Sequence, residues 1–305
     1  MTTSSRITRR AALSGAAVSA GAALGAVVPS AARACTADEA LAALAAIEAR
    51  HHRRLGLYAR NLRTGRTLSH RLDERFALCG TFAPFAVGAL VGGRLATPDP
   101  HVLTRRVHYP PSLVAGDLRA PRTRAWLARG HAPSVAEVCE AAVREGDDGA
   151  ANLVVQHLGG PEVVTGLFGD LGDGVSRLDR WAPEPSASLL PGQVLDTATP
   201  RSLGTSFAAL LRGHLLGRRE RALLLGWLRG HRGDAPFRTT LPAGWSLADT
   251  SGAGAGGARN DIGIAWSPAG VPLLVSCLTR ADDAAAEGID APLAEAFAVA
   301  VEVLR

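Results

Sequence analysis

Trp245-Ser246-Leu247-Ala248-Asp249, Ile262-Gly263-Ile264-Ala265-Trp266 and Leu273-Leu274-Val275-Ser276-Cys277-Leu278-Thr279 are short apolar runs separated by glycine-rich segments. Runs of this length between turn residues predict three strands, and Ala291 to Leu304, apolar at helical spacing, predicts a closing helix. The other end of the chain supplies the matching half. Residues 36–50 are rich in Ala, Leu and Glu at helical spacing, which predicts an N-terminal helix. Leu55 to Leu62 alternates, Arg63-Thr64-Gly65-Arg66 has turn chemistry, and Thr67 to His70 resumes an extended pattern, so the segment predicts a hairpin.

Between these ends the signal is helical. Phe76-Ala77-Leu78-Cys79-Gly80 leads into an apolar helix through Val91. Ser134-Val135-Ala136-Glu137 has the form of a capping box ahead of a helix through Val143. A further helix spans Ala150 to His157 and stops at Gly159-Gly160. Arg177 to Pro200 is rich in Pro, Ser and Asp without a period, which marks a long functional loop, and helical signal returns from Arg201 to Leu228. Terminal strands must meet to complete one sheet. The expected class is therefore α+β, with residues 35–75 and 240–305 forming a mixed domain from both ends. An all-helical domain, 76–239, is inserted between them and includes the loop 177–200.

The first 34 residues stand outside that fold. Thr8-Arg9-Arg10-Ala11-Ala12-Leu13 is a twin-arginine pattern, followed by an uncharged Ala/Gly/Val stretch and the small-residue site Ala32-Arg33-Ala34 before Cys35. This predicts export from the cytoplasm. The stretch is too weakly apolar for a stable membrane anchor. All 33 basic residues are arginine, and the chain has no lysine. They are scattered rather than gathered in a stripe, so a nucleic-acid partner is not expected. Cys35, Cys79, Cys139 and Cys277 have no metal-type spacing, and their pairing is left open. The nine histidines show neither HxHxD nor HExxH, so no metal and no cofactor is expected.

Phe76 to Ala89, Asp147 to Gly160, Arg177 to Pro200 and Ala248 to Ile262, taken in order, resemble the class A serine β-lactamases. The resemblance implies a nucleophilic serine with a lysine three residues on, a Ser-Asp-Asn motif, a deacylating glutamate in the long loop, and a Lys-Thr/Ser-Gly motif on a strand. At the matching positions this chain carries Gly80 and Ala83, then Gly146-Asp147-Asp148, then Ala182 within Arg180-Trp181-Ala182-Pro183-Glu184-Pro185-Ser186, and Thr250-Ser251-Gly252. Arg180 and Asp196 fall where the family staples its long loop with an ion pair. Asp147 keeps a structural place, and Thr199-Pro200 and Asn260-Asp261 keep their flanking patterns.

Arg259 matches a position where some members carry an arginine for the substrate carboxylate; a strand arginine in a surface ion pair is the other reading. Cys79 is weighed as a substitute nucleophile and Glu184 as a substitute base. The first has no identifiable activating neighbour, and the second has no serine ester to hydrolyse.

Loss of a base or relay costs ~10²–10⁴ in rate, and the nucleophile is absent as well. The motifs therefore predict an exported protein of this fold without hydrolase activity, binding a β-lactam or related carboxylate through Ser251, Gly252 and Arg259. A protein partner recognised by the outer surface is a rival expectation. Hydrolysis of β-lactams by an unanticipated route is a third. The oligomeric state is left open.

Overall fold

The computed structural model describes residues 36–95, 99–187, 192–283 and 285–305. The twin-arginine segment, Cys35 and the signal-peptide reading of residues 1–34 lie outside the described residues. The α+β class is as expected. Helix α1 (Ala37–His51) starts at a capping box in which Thr36 and Glu39 satisfy each other's backbone N–H groups. The hairpin follows as β1 (Arg54–Asn61) and β2 (Thr67–His70). A two-residue strand β3 (Phe76–Ala77) pairs with β4 (Thr197–Ala198), fastening the start of the helical part to the end of the long loop.

The helices of the middle are α2 (Ala83–Val91), α3 (Pro121–Ala128), α4 (Val135–Arg144), α5 (Asp148–Leu158) and α6 (Pro161–Asp170). They continue as α7 (Pro200–Arg212), α8 (Arg218–Arg229) and the single turn α9 (Pro236–Thr239). The C-terminal part is β5 (Ser246–Ala253), β6 (Arg259–Trp266), β7 (Pro272–Arg280) and α10 (Ala291–Leu304).

The sheet order is β2-β1-β7-β6-β5, antiparallel throughout. N-terminal β1 lies beside C-terminal β7, with Leu57 opposite Cys277, so neither end completes the sheet alone. The alternation read in β1 has a different meaning from a wet and a dry face. Leu55, Leu57 and Ala59 enter a core with α1 and α10, whereas Tyr58 on the opposite face enters the larger core with Phe76, Leu203 and Phe207. A central strand covered by helices on both sides buries both sets of its side chains. Gly56 faces that second core, where an added Cβ would stand 2.5 Å from the Phe76 ring and 2.6 Å from Pro200.

Three boundaries differ from the sequence reading. The helical signal 201–228 is two helices, because Gly213 and Gly217 interrupt it and α8 starts afresh. Strands β5 and β6 reach further into the glycine-rich turn, to Ala253 and from Arg259, since the ladder goes on pairing Gly252 with Asn260. Helices α3 and α6 carry only proline at their first positions as a signal. Helix α2 is buried from Ala83 to Leu90 and packs on α4, α5, α6, α7 and α8, as expected for a helix apolar on every face.

The close approach at Gly56 makes a direct test. Gly56→Ala is expected to lower the unfolding free energy by ~1–3 kcal/mol through overpacking. Gly226→Ala, in exposed α8 with open space around its Cα, is expected to raise it by ~0.5–1 kcal/mol. Urea unfolding of the two variants against the parent chain reads both signs.

Candidate active site

Where the sheet edge β5 meets the start of α2 and the start of α5, the surface closes into a cleft of about 210 Å³. Gly80, Ala83, Gly146, Ser251, Gly252 and Arg259, six of the positions singled out in the sequence, line it. Gly80 lies in the 3-10 turn Cys79–Phe82 that feeds α2. That turn is pinned by Asn260, whose Nδ2 donates to the Ala77 carbonyl at 2.8 Å, and by the Thr81 hydroxyl, which donates to the Leu78 carbonyl at 2.5 Å. Strand β5 runs tightly against it: a Cβ on Gly252 would lie 2.6 Å from the Gly80 nitrogen. Glycine at 252 is thus a packing requirement. Gly80 is not, since its added Cβ would meet nothing nearer than the Ser251 carbonyl oxygen at 3.4 Å.

Asp147 and Asp148 divide the work of the second motif. Asp147 is fully buried and caps α5, accepting from the Ala150 N–H at 2.7 Å. It also accepts from the N–H groups of Arg122 at 2.7 Å and Thr123 at 3.0 Å, and from the Thr123 hydroxyl at 2.9 Å. One carboxylate so satisfies donors at the starts of both α3 and α5. Asp148 is the next residue, half-buried in the cleft wall, with its own N–H donating to the Arg119 carbonyl at 2.8 Å. Burial, reinforced by the Asp147 charge, pushes its carboxyl up to about 6 against the opposing pull of Arg119. Gly146 takes φ 61°, so a side chain there would sit in the left-handed region.

The other motif positions lie at the margins. Thr250 is buried in β5 and stays out of the cleft lining, while the Ser251 hydroxyl donates to the Asp234 carbonyl. Ala182 is buried too. Its N–H donates to Asn152 Oδ1 at 2.9 Å and its carbonyl accepts from Asn152 Nδ2 at 2.9 Å, so one amide side chain clamps the loop to α5. Ala182 is instead among the residues lining a neighbouring groove, with Trp181 and Leu118. Glu184 is exposed and outside the cleft, so the substitute base weighed above is not delivered there.

The loop staple is in place. Arg180 Nε donates to Asp196 Oδ2 at 2.5 Å, and Asp196 Oδ1 also accepts from the N–H groups of Asp179 and Arg180.

Arg259 lines the cleft and is also paired. Its Nε donates to Asp290 Oδ1 at 2.7 Å, and a second nitrogen lies 3.4 Å from Asp234 Oδ2. The ion pairing of the second reading is thus present in the structure. The Cys79 thiol is fully buried, and burial with the nearby Asp148 charge pushes it up to about 12, which removes it as a thiolate nucleophile. Cys79, Cys139 and Cys277 are free, buried thiols. Sequence reasoning missed Asp148, Arg119 and His231 as cleft residues. For Asp148 a signal existed: it is a carboxylate where the motif calls for an amide. Arg119 and His231 carry no local pattern.

This cleft sits in a chain whose residues 37–298 match the family model described as the beta-lactamase enzyme family. The chain belongs to that family. It is 40% identical over 262 residues to a beta-lactamase of Streptomyces fradiae, covering 86% of this chain and 85% of that one. Among solved structures, the beta-lactamase from Streptomyces albus G superposes with a TM-score of 0.82 at 36% identity, over 88% of this chain and all of the other (100%). A beta-lactamase from Desulfarculus baarsii gives 0.81 at 39% identity, over 88% and 97%.

These relatives correct one expectation. The missing motif groups predicted a member without hydrolase activity, serving as a ligand binder or protein-interaction module. Relatives about 40% identical over most of the chain are named beta-lactamases, which supports β-lactam hydrolysis over loss of activity. Absent side chains exclude a route, here a serine ester at position 80, and not a reaction.

The geometry separates the structural aspartate from the tolerant glycine. Asp147→Ala is expected to cost on the order of 3–5 kcal/mol, because it strands buried N–H groups at two helix starts. Gly80→Ser is expected to change stability by no more than about 1 kcal/mol, since the space is open and helix propensity improves. Chemical denaturation of both variants, with circular dichroism as readout, checks the contrast.

Proposed function

We propose that this protein hydrolyses the amide bond of β-lactams in the cleft between β5, α2 and α5, by attack of water rather than through a serine ester. The observation that carries the reading is the 40% identity to proteins named beta-lactamases along most of the chain, coupled to a cleft at the matching place. Glycine at 80 supplies no nucleophile, and the adjacent thiol is held protonated by burial. Water is then the nucleophile the cleft can admit, its volume of about 210 Å³ exceeding the ~30 Å³ share of one water several-fold.

In this reading Ser251, Gly252 and Arg259 hold the substrate's carboxylate. The weaker of the two Arg259 pairs, 3.4 Å to Asp234, is the one a substrate carboxylate displaces. Arg119, exposed at the cleft mouth, adds a second cation. Export through the twin-arginine pattern belongs to the same proposal, since an enzyme that destroys such a compound is best placed outside the cytoplasm. Among the described residues no helix is long and apolar enough to cross a membrane.

Purified protein is expected to open a chromogenic cephalosporin at a rate proportional to protein concentration. The product should gain the mass of one water, and the protein should gain none. A rate that falls away on further purification, or no opening at all, counts against the proposal.

A further inference from the structure

The cleft needs a group that can take a proton from water, and the family motifs do not supply one. We propose that Asp148 is that general base. The inference rests on the reading that the chain hydrolyses β-lactams.

Four observations lead there. First, the position is built: Asp147 accepts one hydrogen bond from the start of α5 and three from the start of α3, and the Asp148 N–H is tied to the Arg119 carbonyl, so Asp148 is held at a doubly fastened point of the cleft wall. Second, the carboxylate is available. Among the described residues no side-chain hydrogen bond or ion pair engages it, and only the main-chain N–H and the charge of Arg119 favour its ionised form. Third, there is room beside it. Gly80 and Ala83 present no long side chains to the cleft, and an added Cβ at Gly80 would make only ordinary contacts. Fourth, the other acids are occupied, exposed or outside the cleft: the Asp147 oxygens are saturated, Asp117 lines the cleft but is exposed, Glu184 is exposed and outside it, and Asp290 and Asp234 are paired with Arg259. His231 is buried with Nδ1 3.4 Å from Asp249 Oδ2. The titratable and charged side chains about Asp148 are thus Asp147 beside it, Arg119 before α3, and Asp117, His231 and Arg259 in the same cleft lining. A carboxyl raised to about 6 is ionised at neutral pH yet more basic than an exposed aspartate.

The chemistry closes. The water oxygen bonds to the lactam carbonyl carbon while Asp148 accepts one of its protons. Collapse of the tetrahedral adduct breaks the C–N bond, and the Asp148 carboxyl returns that proton to the leaving nitrogen. The second proton of the water leaves with the new carboxylic acid and ionises to solvent. One water is consumed, and the carboxylate is regenerated without any ester on the protein.

The test compares full-length protein with Asp148→Asn and Asp148→Glu, using a chromogenic cephalosporin from about pH 4.5 to about pH 8. The parent is expected to show an acid limb in kcat/KM with a midpoint near 6. Asp148→Asn should lose ~10²–10⁴-fold and the limb with it, and Asp148→Glu should recover part of the rate. Melting temperatures guard against misfolding, with a sign of their own. Because the folded-state carboxyl is raised, ionising it costs stability as pH rises from about 4 to about 6. The gain of Asp148→Asn over the parent should therefore grow across that window and level off above it. An Asp148→Asn protein that keeps the parent's rate and acid limb, or a lactam adduct on the parent during turnover, overturns the role of Asp148 while leaving hydrolysis standing. A folded parent that turns nothing over overturns the functional reading first, and the base with it.

Discussion

The carboxylate of Asp147 is the constraint on which the cleft depends. It is buried, and its hydrogen bonds satisfy N–H groups at the starts of α3 and α5. A buried charge is tolerable only when such donors surround it. Here the donors are helix starts, where unpaired N–H groups and the positive end of the helix dipole coincide. Once α5 begins at that point, Asp148 is committed to the cleft wall and Asn152, one turn on, is committed to the long loop.

The long loop is held from two sides by similar logic. Asn152 takes both backbone groups of Ala182, and Asp196 takes the main chain of residues 179 and 180 together with the Arg180 side chain. A third tie runs from the Ala255 N–H to the Ser186 carbonyl at 2.8 Å, joining the loop to the β5–β6 turn. The loop therefore keeps a fixed wall beside the cleft even though Ala182 offers no acid. Behind β5, Asp249 and Asp261 share a buried space with Arg238 and His231, and burial next to Asp249 raises the Asp261 carboxyl well above the ordinary range.

Legibility followed the range of the interactions. The capping box at Ser134, the N-terminal and closing helices and the hairpin were readable because each is settled within a few residues. The break between α7 and α8 was harder, since periodicity continues across a glycine-marked turn. Helices α3 and α6 escaped because their apolar faces are short and their start signal is a proline alone. In the site, motif order located Gly80, Ala83, Gly146, Ser251 and Gly252. It could not distinguish Gly80, which has room for a side chain, from Gly252, which has none, because that difference lies in the approach of β5 to a turn more than 160 residues away.

The α+β class and the resemblance to the family were legible in the residue order alone, and so was the identity of Gly80, Ala83 and Ala182 at the positions where that resemblance implies a serine, a lysine and a glutamate, since these are matters of residue type and local pattern. Tertiary structure alone decided that the Cys79 thiol is sealed off, that Glu184 faces solvent, that Arg259 is shared between two aspartates, and that Asp148 stands in the cleft wall beside Arg119. The physical reason is that burial and charge pairing are properties of neighbours brought together by the fold. A carboxylate's basicity is set by the medium and charges around it, and for Asp148 those come from Asp147 beside it and Arg119 across a tertiary contact.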